Sequence, residues 1–218
     1  MLRVQSYIDG FNLYHAVDDL HKSQVKQRLP SLNHLKWLNL RSLSEAFVKS
    51  SQESLQEVYY FTAYAKWLPR AMVRHRAYVE ALEACGVTPV FGHFKEKQRN
   101  CKRCGAQWTG HEEKGTDTNL VIQLVQEAHQ DRFDKAIIIT ADSDMVPAIH
   151  MVLNTFPHKQ ILVCTPPDRH KIARELRSTV QTQRMKLRHL TNNLLPQTVY
   201  RQDGSIAAIR PTEYNPPP

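Results

Sequence analysis

The segment ITADSDMVP, residues 139–147, decides the fold of this chain. It closes an apolar run that begins at Lys135, and a run without polar alternation predicts a strand buried on both faces of a parallel sheet. Pro147 has no backbone N–H and therefore suits the first turn of the following helix, which should begin near Asp144. Asp142 and Asp144 are thus expected at the carboxyl end of a central strand, where open α/β sheets bind ligands.

Strands and helices alternate along the rest of the chain. Residues 3–8 predict a first strand, and residues 55–64, 87–91 and 159–165 predict further strands with helices between them. The alternation indicates a three-layer α/β/α fold with a mainly parallel sheet of about five strands. We expect one domain over residues 1–190, with an insertion at 95–113, and a polar, flexible tail over residues 191–218.

Composition narrows the class of protein. Lys and Arg total 29 against 21 Asp and Glu, so the net charge is +8, which favours polyanions and nucleic acid first; a basic but inert protein is the alternative. No apolar run approaches the roughly 18 residues that span a bilayer, no secretory signal is recognised, and the four cysteines do not resemble a disulfide framework. We therefore expect a cytoplasmic protein without membrane contact. Nucleic-acid contacts are predicted from Arg70, Arg74, Lys102, Arg103, Lys171 and Arg174.

Two further acids are expected beside Asp142 and Asp144. Asp9 follows the first strand, and Asp117 begins a helix on the side of its apolar stripe, so all four should share one edge of the sheet. Two unit charges 4 Å apart repel by about 4 kcal/mol at an effective dielectric constant of 20, so a cation must neutralise such a cluster or protons must be shared. All-oxygen ligation indicates Mg²⁺ or Mn²⁺, which would activate a water for hydrolysis of a phosphodiester.

Each acid also has a simpler interpretation. One Asp after a strand can merely cap the next helix, and Asp117 can merely be a favourable charge at a helix N-terminus. Asn12 could orient a water or a phosphate, or could equally cap the first helix.

The insertion contains Cys101-Lys-Arg-Cys104-Gly105, a turn that can present two thiolates to one zinc ion. His111 is the best third ligand; His93, a water or a group from outside the segment could be the fourth. A metal-free reduced turn and a redox pair are the alternatives. A structural zinc here would fix the start of the Asp117 helix and offer Lys102 and Arg103 to RNA.

Three blocks of this sequence resemble the NYN domain family, a branch of the PIN-like nucleases. They are YIDGFNLY (7–14), EEKGTDTNLVIQLV (112–125) and TADSDMVPAI (140–149), and they occur in the family's order. The resemblance implies a PIN-like fold and a metal-dependent ribonuclease site. It also implies metal-binding roles for Asp9, Asp117, Asp142 and Asp144, and it matches Asn12 to the family's Asn.

Two other functions compete with an endoribonuclease. The same fold could hold RNA or a partner protein with little hydrolysis, although binding a polyanion alone does not call for four acids. A phosphatase acting on a small phosphoester usually has D-x-D after its first strand, whereas here Gly10 and Phe11 follow Asp9. A homo-oligomer is compatible with the sequence.

Overall fold

A computed structural model describes residues 1–171 and 173–217 of the chain. Ile172, within a helix that the sequence predicts over residues 169–178, and Pro218, the last residue of the predicted tail, lie outside the described residues. The strands are β1 (Leu2–Asp9), β2 (Glu53–Thr62), β3 (Thr88–Phe91), β4 (His93–Asn100), β5 (Gln107–Lys114), β6 (Lys135–Ile139), β7 (Gln160–Thr165), β8 (Gln181–Arg184), β9 (Thr198–Tyr200) and β10 (Ile206–Ile209). The α-helices are α1 (Gly10–Lys26), α2 (Leu40–Glu45), α3 (Pro69–Ala84), α4 (Thr116–His129), α5 (Val146–Thr155), α6 (Arg174–Thr179) and α7 (Leu187–Thr191).

Six strands form one sheet in the order β3-β2-β1-β6-β7-β8, and every neighbouring pair is parallel. The chain fills the β1-β2-β3 side first and then crosses to β6 on the other side of β1. The boundary between β1 and β6 is therefore the switch point where the carboxyl ends of the strands leave a crevice. The α/β fold with a parallel sheet is confirmed, with six strands where about five were expected.

Helices cover both faces of this sheet, so the core has two halves. Alternate strand residues point to opposite faces: Ile8 and Ile139 pack in the half covered by α1, α2 and α3, while Tyr7 and Ile138 pack in the half covered by α4, α5 and α6. Every residue of β6 is buried, which explains its unbroken apolar sequence. None of the helices in the described parts of the chain has the length and apolar character needed to cross a bilayer.

The segment expected to be an insertion forms an antiparallel hairpin of β4 and β5 between β3 and α4. Seven of the eight β4 residues are exposed, so this hairpin stands away from the core. Its strands carry no apolar alternation because neither face is buried at the distal end.

The expectation of a flexible C-terminal tail is wrong for the described residues. β9 and β10 pair with each other and pack against α3, and Val199, Ala207 and Ala208 belong to the buried core. The Trp37 indole nitrogen also donates a hydrogen bond to the Pro196 carbonyl oxygen at 2.8 Å. This segment completes one side of the domain.

Candidate active site

Asp9 is the most constrained acid at the crevice. It ends β1, is buried, and accepts hydrogen bonds from the Asn12 backbone N–H and the Thr140 hydroxyl, both at 2.9 Å. Burial raises the pKa of Asp9; those two hydrogen bonds oppose the rise, and the charges of Asp142 and Glu113 add to it. Asp9 is thus the N-cap of α1 and also a carboxylate held in one orientation.

Asn12 connects the start of α1 with the loop after β6. Its side-chain oxygen accepts a hydrogen bond from the Ala141 backbone N–H at 3.1 Å. Because Asp9 is the N-cap, the alternative in which Asn12 caps the helix is wrong. Asn12 instead holds together the two strand ends that carry Asp9 and Asp142.

Asp142 and Asp144 follow β6 on the other side of the switch point. The Asp142 carboxylate accepts a hydrogen bond from the Asp144 backbone N–H at 3.0 Å and caps a short 3₁₀ turn, Ser143–Met145, that leads into α5. Asp142 is half-buried and Asp144 is exposed. The turn fixes Asp142 at the crevice and leaves the Asp144 side chain facing solvent.

Asp117 lies in the first turn of α4 and is exposed, although its position on the apolar stripe predicted that it would be shielded from water. Partial desolvation, followed by the charges of four neighbouring acids, raises its pKa to about 6. Those acids are Asp9, Glu113, Asp142 and Asp144. The four predicted acids therefore do influence one another across the crevice.

Glu113 is a fifth acid that the sequence analysis did not single out. Its carboxylate accepts a hydrogen bond from the Thr116 backbone N–H at 2.9 Å and so supports the start of α4. Its position four residues before Asp117, inside the second matched block, was the available signal. Thr140, which donates to Asp9, was missed in the same way although it begins the third block.

No basic side chain neutralises these five acids by a salt bridge within residues 1–171 and 173–217. In the same residues, no three His, Cys, Asp or Glu side chains are close enough together to hold a metal ion. The donor chemistry, all carboxylate oxygen under mutual repulsion, fits a hard divalent cation. Binding one would require the carboxylates to close on the ion.

The predicted nucleic-acid contacts fall into three groups. Arg70 is exposed at the start of α3, and Lys171 and Arg174 are exposed beside α6, which packs against the 3₁₀ turn containing Asp144. Arg74 is engaged in a salt bridge with Glu213 at 3.0 Å. Lys102 and Arg103 are exposed at the hairpin tip, roughly 25 Å along an eight-residue strand from its base.

The predicted zinc ligands are not brought together. Cys101 and Cys104 lie at the hairpin tip, whereas His93 pairs with Lys114 at its base. His111 lies part of the way down, where its ring stacks on Trp67 with centroids 3.6 Å apart. The strands separate these residues by roughly 3.3 Å per position. The combination of both cysteines with His111 and His93 is therefore wrong.

Comparison with known proteins gives one family match and one shared fold. A family model described as NYN domain matches residues 3–184, and no curated protein matches the chain significantly. A protein of unknown function from Vibrio parahaemolyticus has a similar crystal structure, with a TM-score of 0.57 and 12% identity over 89% of this chain and 96% of that chain. A putative pilus assembly-related protein from Burkholderia pseudomallei aligns over 62% of this chain and 84% of that chain with 17% identity, but its TM-score of 0.25 supports no conclusion.

Proposed function

Because this chain belongs to the NYN domain family, a family of PIN-like nucleases, we propose that it is a metal-dependent endoribonuclease. The observation that supports this best is the set of acids facing one another at the switch point without a salt-bridge partner among the described residues. Desolvation, followed by the repulsion from the other acids, raises the pKa of Asp117 to about 6. A site that binds RNA by charge alone gains nothing from such repulsion, whereas a site that binds a divalent cation needs it.

Asp9, Asp117, Asp142 and Asp144 would hold Mg²⁺ or Mn²⁺, which polarises a phosphate and lowers the pKa of a bound water. Asp9 enters this site already oriented, since Thr140 and the Asn12 backbone fix its two oxygens. Asn12 keeps the β1 and β6 ends together. Lys171 and Arg174, on the side of Asp144, would contact the RNA backbone and position it without selecting a sequence.

The test is cleavage of mixed structured and single-stranded RNAs by the full chain in Mg²⁺, Mn²⁺ or EDTA. Asp9→Asn and Asp142→Asn should each lose about 100-fold or more in rate, because metal chemistry supplies several kcal/mol to the transition state. Asp203→Asn, in the exposed turn between β9 and β10, is the matched control and should cut at the wild-type rate. Wild-type rates in both site variants would refute the proposal.

A binding module with little hydrolysis is the second candidate, and two observations favour it. Both Asp9 oxygens already accept hydrogen bonds, and no three acids of the described residues form a metal-binding group. Such a module would bind RNA with equal affinity in Mn²⁺ and in EDTA and leave it intact. The nuclease would convert the same RNA to products only when the metal is present.

A further inference from the structure

The tip of the β4–β5 hairpin has the backbone of a metal-binding turn. The Cys101 N–H donates to the Ala106 carbonyl, and the Gly105 N–H donates to the Cys101 carbonyl, both at 2.8 Å. Gly105 has a φ of +69°, a conformation that glycine adopts at little cost. Cys101 is half-buried and Cys104 is exposed. The turn thus presents both cysteines together at the tip.

This turn supplies only half of a structural zinc site. Such sites have four protein ligands in a tetrahedron. Within residues 1–171 and 173–217 no third His, Cys, Asp or Glu joins the two cysteines. His111 is stacked on Trp67 well below the tip, and the tip itself projects into solvent. The missing two ligands must come from another molecule if the turn binds zinc in the usual way.

We propose that a second copy of this chain supplies them, so that one zinc ion is bound by Cys101 and Cys104 of two hairpin tips. Two identical C-x-x-C turns related by a twofold axis provide the four sulfurs of a tetrahedral site. The exposed β4 strand leaves room for two tips to meet while the domains stay apart. The site is incomplete in one chain and complete in a dimer.

Charge at the tip makes this dimer dependent on zinc. Lys102 and Arg103 lie between the cysteines, so two tips bring four positive charges together and repel each other without a metal. One Zn²⁺ with four thiolates carries a net charge of −2, which these cations would offset. Trp108, 49% exposed and paired with Arg99 next to the turn, would gain an apolar contact in the dimer.

The experiment uses the full chain purified under reducing conditions without chelator, with zinc analysis and sedimentation equilibrium on the same sample. We expect one zinc per two chains in a dimer, and monomers after a zinc chelator removes the ion. X-ray absorption should show four sulfur neighbours at about 2.3 Å, which also excludes zinc adsorbed at the crevice acids. Zinc added back to the apo chain should release thiol protons to the buffer.

Cys101→Ser and Cys104→Ser should each abolish zinc binding and leave a monomer. Both sites belong to the projecting tip, so circular dichroism should show the wild-type fold. Cys85→Ser, at the end of α3, is the matched control and should keep both zinc and dimer. One zinc per monomer, a dimer that survives the chelator, an intrachain Cys101–Cys104 disulfide, or no zinc after adding it would each overturn the proposal. The zinc proposal does not rest on ribonuclease activity, since the tip is separated from the acids by the length of the hairpin.

Discussion

Asp117 shows, for a single residue, how its surroundings at the crevice make an ionised carboxylate less favourable. Its side chain is exposed, yet partial desolvation, followed by the charges of the neighbouring acids, raises its pKa from 3.8 to about 6. Because the folded-state pKa is raised, the ionised form costs stability above about pH 6, and the cost disappears as the pH falls below the unfolded value of 3.8. Without solvent screening, a pKa shift of that size corresponds to about 3 kcal/mol in the free energy of unfolding. Because the group is exposed, solvent screening reduces this cost to about 1 kcal/mol.

We therefore predict that Asp117→Asn stabilises the metal-free protein at neutral pH. In EDTA at pH 7.5 its melting temperature should exceed that of the wild type by about 3 °C, the shift expected for 1 kcal/mol in a chain of this size. The difference should shrink progressively between about pH 6 and pH 4. Differential scanning fluorimetry over this range checks it, with Glu80→Gln, an exposed α3 acid that makes no salt bridge within residues 1–171 and 173–217, as the control for charge removal alone. A gain that is the same at every pH would contradict the electrostatic origin.

For single residues, the sequence was sufficient to predict four acids of the crevice, but not the exposure of Asp117 or the presence of Glu113 beside it. The rule that parallel strands end at one edge was enough to group Asp9, Asp142 and Asp144. The exposure of Asp117 depends on how α4 leaves the hairpin, which local periodicity does not contain. Glu113 was not predicted for a similar reason. In the sequence it is one of several charged residues in a charged segment, and only the pairing of β5 with β4 brings it to the crevice.

At the scale of elements, the base of the hairpin controls where Glu113 and Asp117 lie. The outgoing strand begins immediately after Gly92, and the returning strand passes so close that a Cβ on Gly92 would be 2.6 Å from the Lys114 carbonyl oxygen and 3.0 Å from the Thr116 nitrogen. Both neighbours are backbone atoms of residues that lie between Glu113 and Asp117 in the chain. Glycine at this position is therefore required by the close approach of two chain segments.

Gly92→Ala should displace the start of α4 and, if the crevice is the active site, reduce metal-dependent RNA cleavage by about 10- to 100-fold, since misplacements of about 1 Å have effects of that order. Gly110→Ala is the matched control in the same hairpin, because its Cβ would meet only the flexible Arg99 side chain. The measurement is the cleavage rate in Mn²⁺ for both variants, with melting temperature recorded in parallel. Equal rates for the two variants would show that the hairpin base does not position the acids.

Most of the elements that periodicity predicted have a buried face; β3, which was also predicted, has only half-buried and exposed residues. β1, β2, β6 and β7 were recognisable because their side chains are buried in the sheet, which leaves an apolar pattern. The β4–β5 pairing and the short β9 and β10 strands were not predicted as strands. The first is solvent-exposed, and the second depends on contacts with α3 that are distant in sequence.

At the scale of the whole molecule, the last twenty or so residues close the α1–α3 side of the domain. Val199, Ala207 and Ala208 are buried in that half of the core, and Glu213 forms its salt bridge with Arg74 of α3. Tyr214 lines a cavity of about 230 Å³ between α1 and α3, together with Tyr14 and Tyr78. Removing this segment would expose apolar side chains that the helices alone do not cover.

A chain ending at Pro196 should therefore lose about 3 kcal/mol or more of stability, the cost of exposing several buried apolar side chains, and its melting temperature should fall by about 10 °C. Ending at Pro196 keeps an oxygen on that residue, now part of a C-terminal carboxylate, to accept from Trp37, so the loss can be attributed to β9, β10 and the residues after them. A chain lacking only residues 216–218 is the control and should melt like the wild type. Thermal unfolding followed by circular dichroism separates the outcomes. If the chain ending at Pro196 melts with the control, the C-terminal hairpin rests on the domain without stabilising it, and the whole cooperative unit lies within residues 1–196.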